Sequence, residues 1–324
     1  MRRLLLSGFA CAVMAAPLVA TAQAWTPSRP IRLIVPYGPG GSSDVIARAI
    51  AAEMSKTVGQ SVIVENKAGG QGVIAMQEAA RAAPDGYTMV LGHVGTLAVN
   101  PAMIRKLPYD AGQKDFRPVT LLAKVPMVFA VGPKTNVTTL PQFIAQAKAA
   151  PGTLNYASAG NGSAGHLAFE MLKNTAGIDV MHIPYKGTGA QTTDLLAGMI
   201  DAASAGLPGF LTHVKAGKLK ILAVGSAKRL PAIPDVPTVA ELGYPNFESS
   251  QWFGLLVPAK TPADVVARLN KEALIALASV AVQRRLEEDS STAAGMGPKE
   301  FAAFIVAEQK RWGVVVRNAK LTAE

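Results

Sequence analysis

A series of strand, glycine-rich turn and helix units limits the fold of this chain more than any other feature. Residues 31–36 are an apolar, β-rich run. A glycine-rich turn follows, and then residues 45–57, whose apolar positions recur at three- and four-residue spacing. The pattern continues with a strand at 61–65, a helix that ends near Ala83, and a strand at 87–91. Strand–helix–strand units in series predict a parallel sheet covered by helices.

The pattern restarts after Phe116 and predicts a second α/β unit. Two strand-like runs, 118–122 and 127–131, precede a helix at 141–149. Four shorter strands are predicted at 154–156, 180–183, 202–203 and 221–224, followed by a strand at 253–258 and three helices at 263–279, 281–288 and 299–318.

This layout predicts an α/β protein of two lobes, each with a helix-covered and mostly parallel sheet. The first lobe would contain residues 25–124 and 250–324, and the second lobe residues 125–249. The chain would therefore cross between the lobes twice. Two crossings form a hinge that closes on a ligand, and ligands favour the carboxyl ends of parallel strands at such a junction.

The N-terminus predicts export. Arg2 and Arg3 precede an apolar stretch at 4–20, and the small-x-small site at 22–24 is typical of signal-peptide cleavage before Trp25. We therefore predict a signal peptide at 1–24 and a periplasmic protein.

Two other readings of this segment are open. The apolar stretch is nearly long enough to anchor the chain in a bilayer, but Pro17 and the cleavage site favour removal. Cys11 could mark a lipoprotein, but Gly8 occupies the position three residues before it and little apolar sequence precedes it.

The composition excludes several classes of site. Cys11 is the only cysteine, so the mature chain has no thiol for a disulfide, a nucleophile or a cysteine-based zinc site. The formal net charge is +10. The predicted signal peptide contains Arg2 and Arg3 and no acidic residue, so its removal leaves a net charge of +8. This positive net charge would attract anions over long range; the alternative is that it only reflects surface charge that keeps the protein in solution. The basic residues are scattered and aromatics make up only 6% of the chain, which argues against nucleic-acid binding.

Three loops share one design: a strand ending in tyrosine, a stretch of small residues, and the start of a helix. They span residues 37–44, 156–166 and 185–194. Glycines let the backbone approach a ligand, and the free N–H groups at a helix start carry a partial positive charge. Such loops suit a carboxylate or a phosphate.

Side chains in these loops add possible ligand contacts. Hydroxyl donors are Ser42, Ser43, Ser163 and Thr188, while Tyr37 and Tyr185 could wall the pocket. The simpler interpretation is that the glycines end strands and that Ser43 or Asp44 caps a helix. Three loops of one design, divided between the two predicted lobes, favour the ligand interpretation.

Cofactor and metal readings are weaker. Residues 160–165 match G-x-G-x-x-G, but the acidic Asp179 precedes the next strand instead of ending it, which disfavours a dinucleotide. His166 and Glu170 are four apart on one helix, which is half a metal site or an ordinary surface pair. We expect no cofactor and no metal.

Enzyme readings are weaker too. Ser163 lacks the first glycine of a nucleophile elbow, and a Ser163–His166 hydrolase would lack a third residue to orient the imidazole. We expect no catalytic residues and a protein that is not an enzyme. Trp252 and Phe253, at the return crossing, are expected to pack in the hinge, with ligand stacking as the alternative.

Seven segments together resemble the Bug receptors, the extracytoplasmic solute-binding components of tripartite tricarboxylate transporters. In chain order they lie at 29–48, 65–75, 84–92, 155–170, 182–201, 234–245 and 252–262. The resemblance implies a Venus-flytrap fold of the second periplasmic-binding-protein type. It also implies a carboxylate ligand: a di- or tricarboxylate, an amino acid or an aromatic acid.

The resemblance further implies that main-chain N–H groups, hydroxyls and waters hold the ligand without an arginine clamp. The three loops contain no arginine, and Lys186 is their only cation. The ligand would lie between the Gly40–Gly41 turn and the turn at 185–190. The implied contacts are Tyr37, Gly40, Gly41, Ser42, Asp44, Ala159, Gly160, Ser163, His166, Tyr185, Gly187 and Ala190, with Thr96 and Ser204 as further additions.

The partners implied are a small organic carboxylate and the membrane subunits of such a transporter. A ligand sensor of the same fold without a transport role is the alternative. The protein is expected to be a monomer.

Overall fold

The computed structural model describes residues 25–112, 114–318 and 321. The predicted signal peptide at 1–24, with Cys11, lies outside these residues. The first elements are β1 (Ile31–Val35), α1 (Ser42–Val58), β2 (Val62–Asn66), α2 (Val73–Ala80), β3 (Thr88–His93) and α3 (Asn100–Met103). The chain continues with β4 (Phe116–Val131), α4 (Leu140–Ala149), β5 (Asn155–Ser158), α5 (Ala164–Ala176), β6 (Met181–Pro184) and α6 (Thr188–Leu196). The last elements are β7 (Ala202–Gly206), α7 (Leu211–Lys215), β8 (Lys220–Val224), β9 (Ser250–Pro258), α8 (Ala263–Ala278), α9 (Val280–Glu288), β10 (Thr292–Ala293) and α10 (Pro298–Asn318).

Two lobes have the same strand order. In the first lobe the order is β2-β1-β3-β9-β4, and in the second it is β6-β5-β7-β4-β8. The main strands of each lobe run in one direction except a single antiparallel strand, which is β9 in the first lobe and β4 in the second. Each antiparallel strand belongs to a segment that arrives from the other lobe. The predicted α/β fold with two helix-covered, mostly parallel sheets is confirmed.

The prediction of two strands at 118–122 and 127–131 was wrong, because both belong to one 16-residue strand, β4. Lys124 and Pro126 interrupt the apolar pattern between them, and a proline usually marks a strand edge or end. In the structure Pro126 lies where β4 changes partners, from β9 to β7 and β8. A missing N–H disturbs the ladder least at such a point.

The two crossings lie side by side. β4 pairs with β9 from Phe116 to Pro126, with Pro126 opposite Ser250, and from Met127 onward β4 pairs with β7. The lobe boundaries predicted after residues 124 and 249 remain a proposal that this pairing supports.

The C-terminal helix α10 braces the first lobe. The Glu308 carboxylate, 8% exposed, accepts hydrogen bonds from two indole N–H groups, Trp252 Nε1 at 2.7 Å and Trp312 Nε1 at 3.0 Å. Trp252 packs edge-on against Phe301 and Phe304 of the same helix. The structure therefore places Trp252 in packing, as expected. Within the described part of the chain, no helix has the length and apolar character needed to cross a bilayer.

Candidate functional site

Three helices begin where the two lobes meet. α1 begins at Ser42, three residues earlier than expected, after Gly41 in an extended conformation. α6 begins at Thr188 after Gly187, whose φ of 135° favours glycine. Neither start has a side-chain cap, whereas Ser163 Oγ accepts the backbone N–H of His166 at the start of α5. The first turns of α1 and α6 therefore keep backbone N–H groups without a side-chain acceptor.

A seam of glycines joins the lobes. Gly38 N donates to Lys186 O across the cleft at 3.2 Å. A methyl group added at Gly187 would lie 2.9 Å from Gly38 N, and one added at Gly189 would lie 2.5 Å from Pro39 O. The first and third loops thus touch each other, so the structure is a closed form. The ligand position predicted between these two turns is occupied by their contact.

A cavity lies deeper, behind the seam. The cavity is small: the volume open to the centre of a water molecule is about 30 Å³. Both lobes and the two crossing strands line it with Tyr37, Ser42, Ser43, His93, Met127, Ala159, Ser163, Ala164, Gly165, Thr188, Ser204, Ala205, Gly206, Gln251 and Phe253. This lining contains no lysine, arginine, aspartate or glutamate, so any charge on a ligand would meet only neutral groups.

Five of the predicted residues line this cavity: Tyr37, Ser42, Ala159, Ser163 and Ser204. Ser42 Oγ and Ser204 Oγ are buried and have no hydrogen-bond partner among the described residues. Buried hydroxyls are normally paired, so these two are available to a bound group. Tyr37 is buried, and this burial raises the pKa of its phenol well above the ordinary value, so it stays neutral.

Four predicted glycines lie in or beside the seam and not in the cavity: Gly40, Gly41, Gly160 and Gly187. A methyl group at Gly41 would lie 3.0 Å from Thr188 Oγ1, and one at Gly160 would lie 3.0 Å from Tyr185 O. Gly41 thus permits close approach of the two lobes at the Thr188 side chain, whereas Gly160 permits close packing of two loops within the second lobe.

Three other predicted residues lie outside the cavity, and two of them, Asp44 and Tyr185, make hydrogen bonds within their own loop and helix segments. Asp44 accepts from Gly40 N at 3.1 Å and from Arg48 Nε at 3.0 Å, and its buried carboxylate has a lowered pKa because these hydrogen bonds outweigh the cost of burial. Tyr185 donates its phenol to Asp194 at 2.6 Å, and burial, with that carboxylate, raises the pKa of Tyr185 to about 12. Ala190 is exposed on α6.

Thr96 and His166 are buried within their own lobes. Thr96 Oγ1 accepts from His93 N at 3.2 Å. His166 Nδ1 accepts from Gly162 N at 3.0 Å, and its ring stacks on His182 with 4.1 Å between centroids. The stack continues through Tyr156 to Phe169. Among the described residues, no group of three histidine, cysteine, aspartate or glutamate side chains is placed to hold a metal ion.

The cavity also contains residues outside the predicted set. Ser43 and Thr188 were recognised as hydroxyl donors of the loops, but His93, Met127 and Gln251 were not considered as contacts. His93 ends β3, and the rule that ligands bind at strand ends could have found it. Met127 and Gln251 lie on the crossing strands, where no local signal marks them. Phe253, which was expected to pack in the hinge, lines the cavity, whereas its neighbour Trp252 packs against α10.

The comparisons with known proteins agree with one another. The model of the tripartite tricarboxylate transporter family receptor matches residues 46–321. BugT of Bordetella pertussis is 39% identical over 310 residues, covering 95% of this chain and 94% of BugT. A solved structure of R. palustris Rpa4515 with adipate is 34% identical, with a TM-score of 0.88, covering 91% of this chain and 99% of that chain. MatC from Rhodopseudomonas palustris with bound malate is 34% identical, with a TM-score of 0.85 and coverages of 90% and 99%.

The buried histidines predict that acid destabilises the fold. Burial lowers the pKa of His93 and His182 to about 3 and that of His166 to about 4. A histidine in the unfolded chain has a pKa of about 6.5, so below this pH the unfolded state binds protons that the folded state does not. The stabilisation from each neutral histidine is present above pH 6.5 and is lost towards pH 4 to 3. Each contributes a slope of up to about 1.4 kcal/mol per pH unit.

Urea unfolding between pH 7.5 and pH 4.5 measures this slope. His166→Gln should reduce it, because one titrating group is removed. Equal slopes for the wild type and His166→Gln would contradict the assignment.

Proposed function

The chain belongs to the tripartite tricarboxylate transporter receptor family, and we propose that it binds a small organic carboxylate between its lobes for delivery to a membrane transporter. The observation that carries this proposal is the cavity at the lobe junction, which residues of both lobes line. It brings the first residues of α1 and α6 together with the unpartnered hydroxyls of Ser42 and Ser204.

Neutral donors account for carboxylate binding here. The starts of α1 and α6 each present backbone N–H groups and the positive end of a helix dipole. Ser42, Ser43 and Thr188 line the cavity within these first turns. Hydroxyl and N–H groups donate well to a carboxylate, and in a closed cavity such bonds are stronger than in water. This explains how an anion binds without a lysine or arginine.

Two related structures support the ligand class. R. palustris Rpa4515 is solved with adipate and MatC with malate, and both ligands are dicarboxylates. The similarity covers nearly the whole of each of those chains, so the two-lobe cleft is included in it.

Export and transport complete the proposal. The signal peptide predicted at 1–24 would place the mature protein in the periplasm, where it would act as a monomer with the membrane subunits of a transporter. A sensor of the same fold is the alternative, and neighbouring genes for membrane subunits would distinguish the two.

A hydrolase gains no support from the structure. Ser163 Oγ accepts from the backbone N–H of His166, while the His166 ring accepts from Gly162 and stacks on His182. The imidazole is thus engaged away from the serine hydroxyl. The family model that matches the chain describes a transporter receptor.

A thermal-shift screen tests the ligand class. We expect malate, adipate or a related acid to raise the melting temperature of the mature protein, because a ligand that binds only the folded state stabilises it. At one hundred times the dissociation constant the gain is about 2.7 kcal/mol. A shift with a neutral sugar or a peptide, and none with any organic acid, would contradict the proposal.

Gly41→Ala tests the closed form. The added methyl group would press on Thr188 Oγ1 at 3.0 Å and Thr188 Cβ at 3.1 Å, so the lobes would close less fully. We expect the affinity for the acid found in the screen to fall about tenfold, which corresponds to about 1.4 kcal/mol. Gly297→Ala is the matched control, because nothing lies within 4 Å of its added methyl group. Unchanged affinity in Gly41→Ala, measured by calorimetry, would show that ligand binding does not depend on closure at this seam.

A further inference from the structure

Three rings form one wall of the cavity. The centroids of Tyr37 and His93 are 4.6 Å apart, and those of His93 and Phe253 are 6.2 Å apart. All three side chains line the cavity from the first lobe. His93 is the middle ring, and its Nε2 has no hydrogen-bond partner among the residues that the structure describes.

The hydrogen bonds of His93 fix its tautomer. Gly95 N donates to His93 Nδ1 at 2.7 Å, so Nδ1 carries a lone pair and not a proton. A neutral ring that accepts at Nδ1 has its proton on Nε2. His93 is only 3% exposed, and its burial favours this neutral form.

The position of the ring is held from behind. Gly95 begins a π-helical turn, Gly95–Val99, directly after the strand that carries His93. Gln309 of α10 donates to Leu97 O in this turn at 2.9 Å, and the Thr96 hydroxyl accepts from His93 N. The donor of His93 is therefore held in a fixed direction by the scaffold.

His93 Nε2 is buried and has no hydrogen-bond partner among the described residues. An unpaired buried N–H is costly, so a native structure retains one where a bound group completes it. We propose that His93 is a specificity-determining residue whose Nε2–H donates to a second acceptor of the carboxylate ligand: a hydroxyl, an oxo group or another carboxylate. This inference rests on the proposed function.

The same geometry selects against an ammonium group. The ammonium group of an α-amino acid has only N–H donors, and it would face the His93 Nε2–H, which is also a donor. The cavity lining contains no aspartate or glutamate to pair with the ammonium, and the Asp44 carboxylate, outside the lining, already accepts from Arg48 Nε and Gly40 N. A cavity whose polar groups are left unpaired rejects a ligand strongly. Hydroxy-, oxo- and dicarboxylates are therefore favoured over amino acids.

Matched ligand pairs test the inference by calorimetry. Succinate and butyrate, and adipate and hexanoate, differ by the second carboxylate, while malate and aspartate differ by hydroxyl against ammonium. We expect the wild type to bind a diacid at least tenfold more tightly than its monoacid, and malate more tightly than aspartate. His93→Phe keeps a ring in the wall and removes the donor, so it should weaken diacid binding by about 10- to 100-fold. It should change monoacid binding by less than about threefold.

His93→Gln supplies an N–H near the position of Nε2 and should restore part of the diacid preference. If His93→Phe weakens diacid and monoacid equally, or neither, His93 only packs and the inference is wrong. Tighter binding of aspartate than malate by the wild type would overturn the ligand class. If no acid binds the wild type, the proposed function itself is wrong. This outcome differs from the previous ones, in which acids bind but His93 does not select among them.

A measurement on the unmutated protein guards against a folding defect. The ¹⁵N spectrum of the imidazoles should show the His93 proton on Nε2, and this resonance should shift when the preferred diacid is added. A proton on Nδ1, or no shift at saturation, would overturn the inference.

Discussion

The pairing of β4 with β9 is the interaction on which the rest of the structure depends. These strands run antiparallel from Phe116 to Pro126 and carry both crossings between the lobes. Each supplies the antiparallel strand of the lobe it enters, and β9 is held against α10 by the Trp252–Glu308 hydrogen bond. Their residues Met127, Gln251 and Phe253 also line the cavity. The connection between the lobes and the cavity therefore share residues, so a ligand in the cavity would contact the strands that join the lobes.

The glycine-rich loops have two roles: they form the contact between the lobes, and they line the cavity. Their outer glycines form the seam, where Gly38 N donates to Lys186 O. Their inner residues, Ser42 and Thr188, begin helices and line the cavity. In the proposed site an anion would meet helix starts and hydroxyls in an enclosed space, and the positive net charge would add long-range attraction.

Hydrophobic periodicity was enough to predict the α/β class, the two lobes and most elements, because each helix and strand buries one regular face. The three loops were also found from local chemistry. The continuity of β4 was missed because a proline usually marks the end of a strand. Pro126 is tolerated inside β4 because the strand changes partners there, which the sequence does not show. Asp44 was taken as a ligand contact, yet Arg48 and Gly40 N occupy its carboxylate. A methyl group at Gly206 would clash with Ser42 Oγ and Gln251 Nε2, so this glycine, like the crossing-strand residues, has a role that only the tertiary crossing creates.

A crystal structure of the mature protein with a bound diacid tests the central claim most directly. The account predicts closed lobes, with one carboxylate of the ligand within hydrogen-bond distance of Ser42, Thr188 and the backbone N–H groups at the start of α1. Electron density for the ligand outside the cleft, or lobes closed on a ligand that none of these groups contacts, would contradict it.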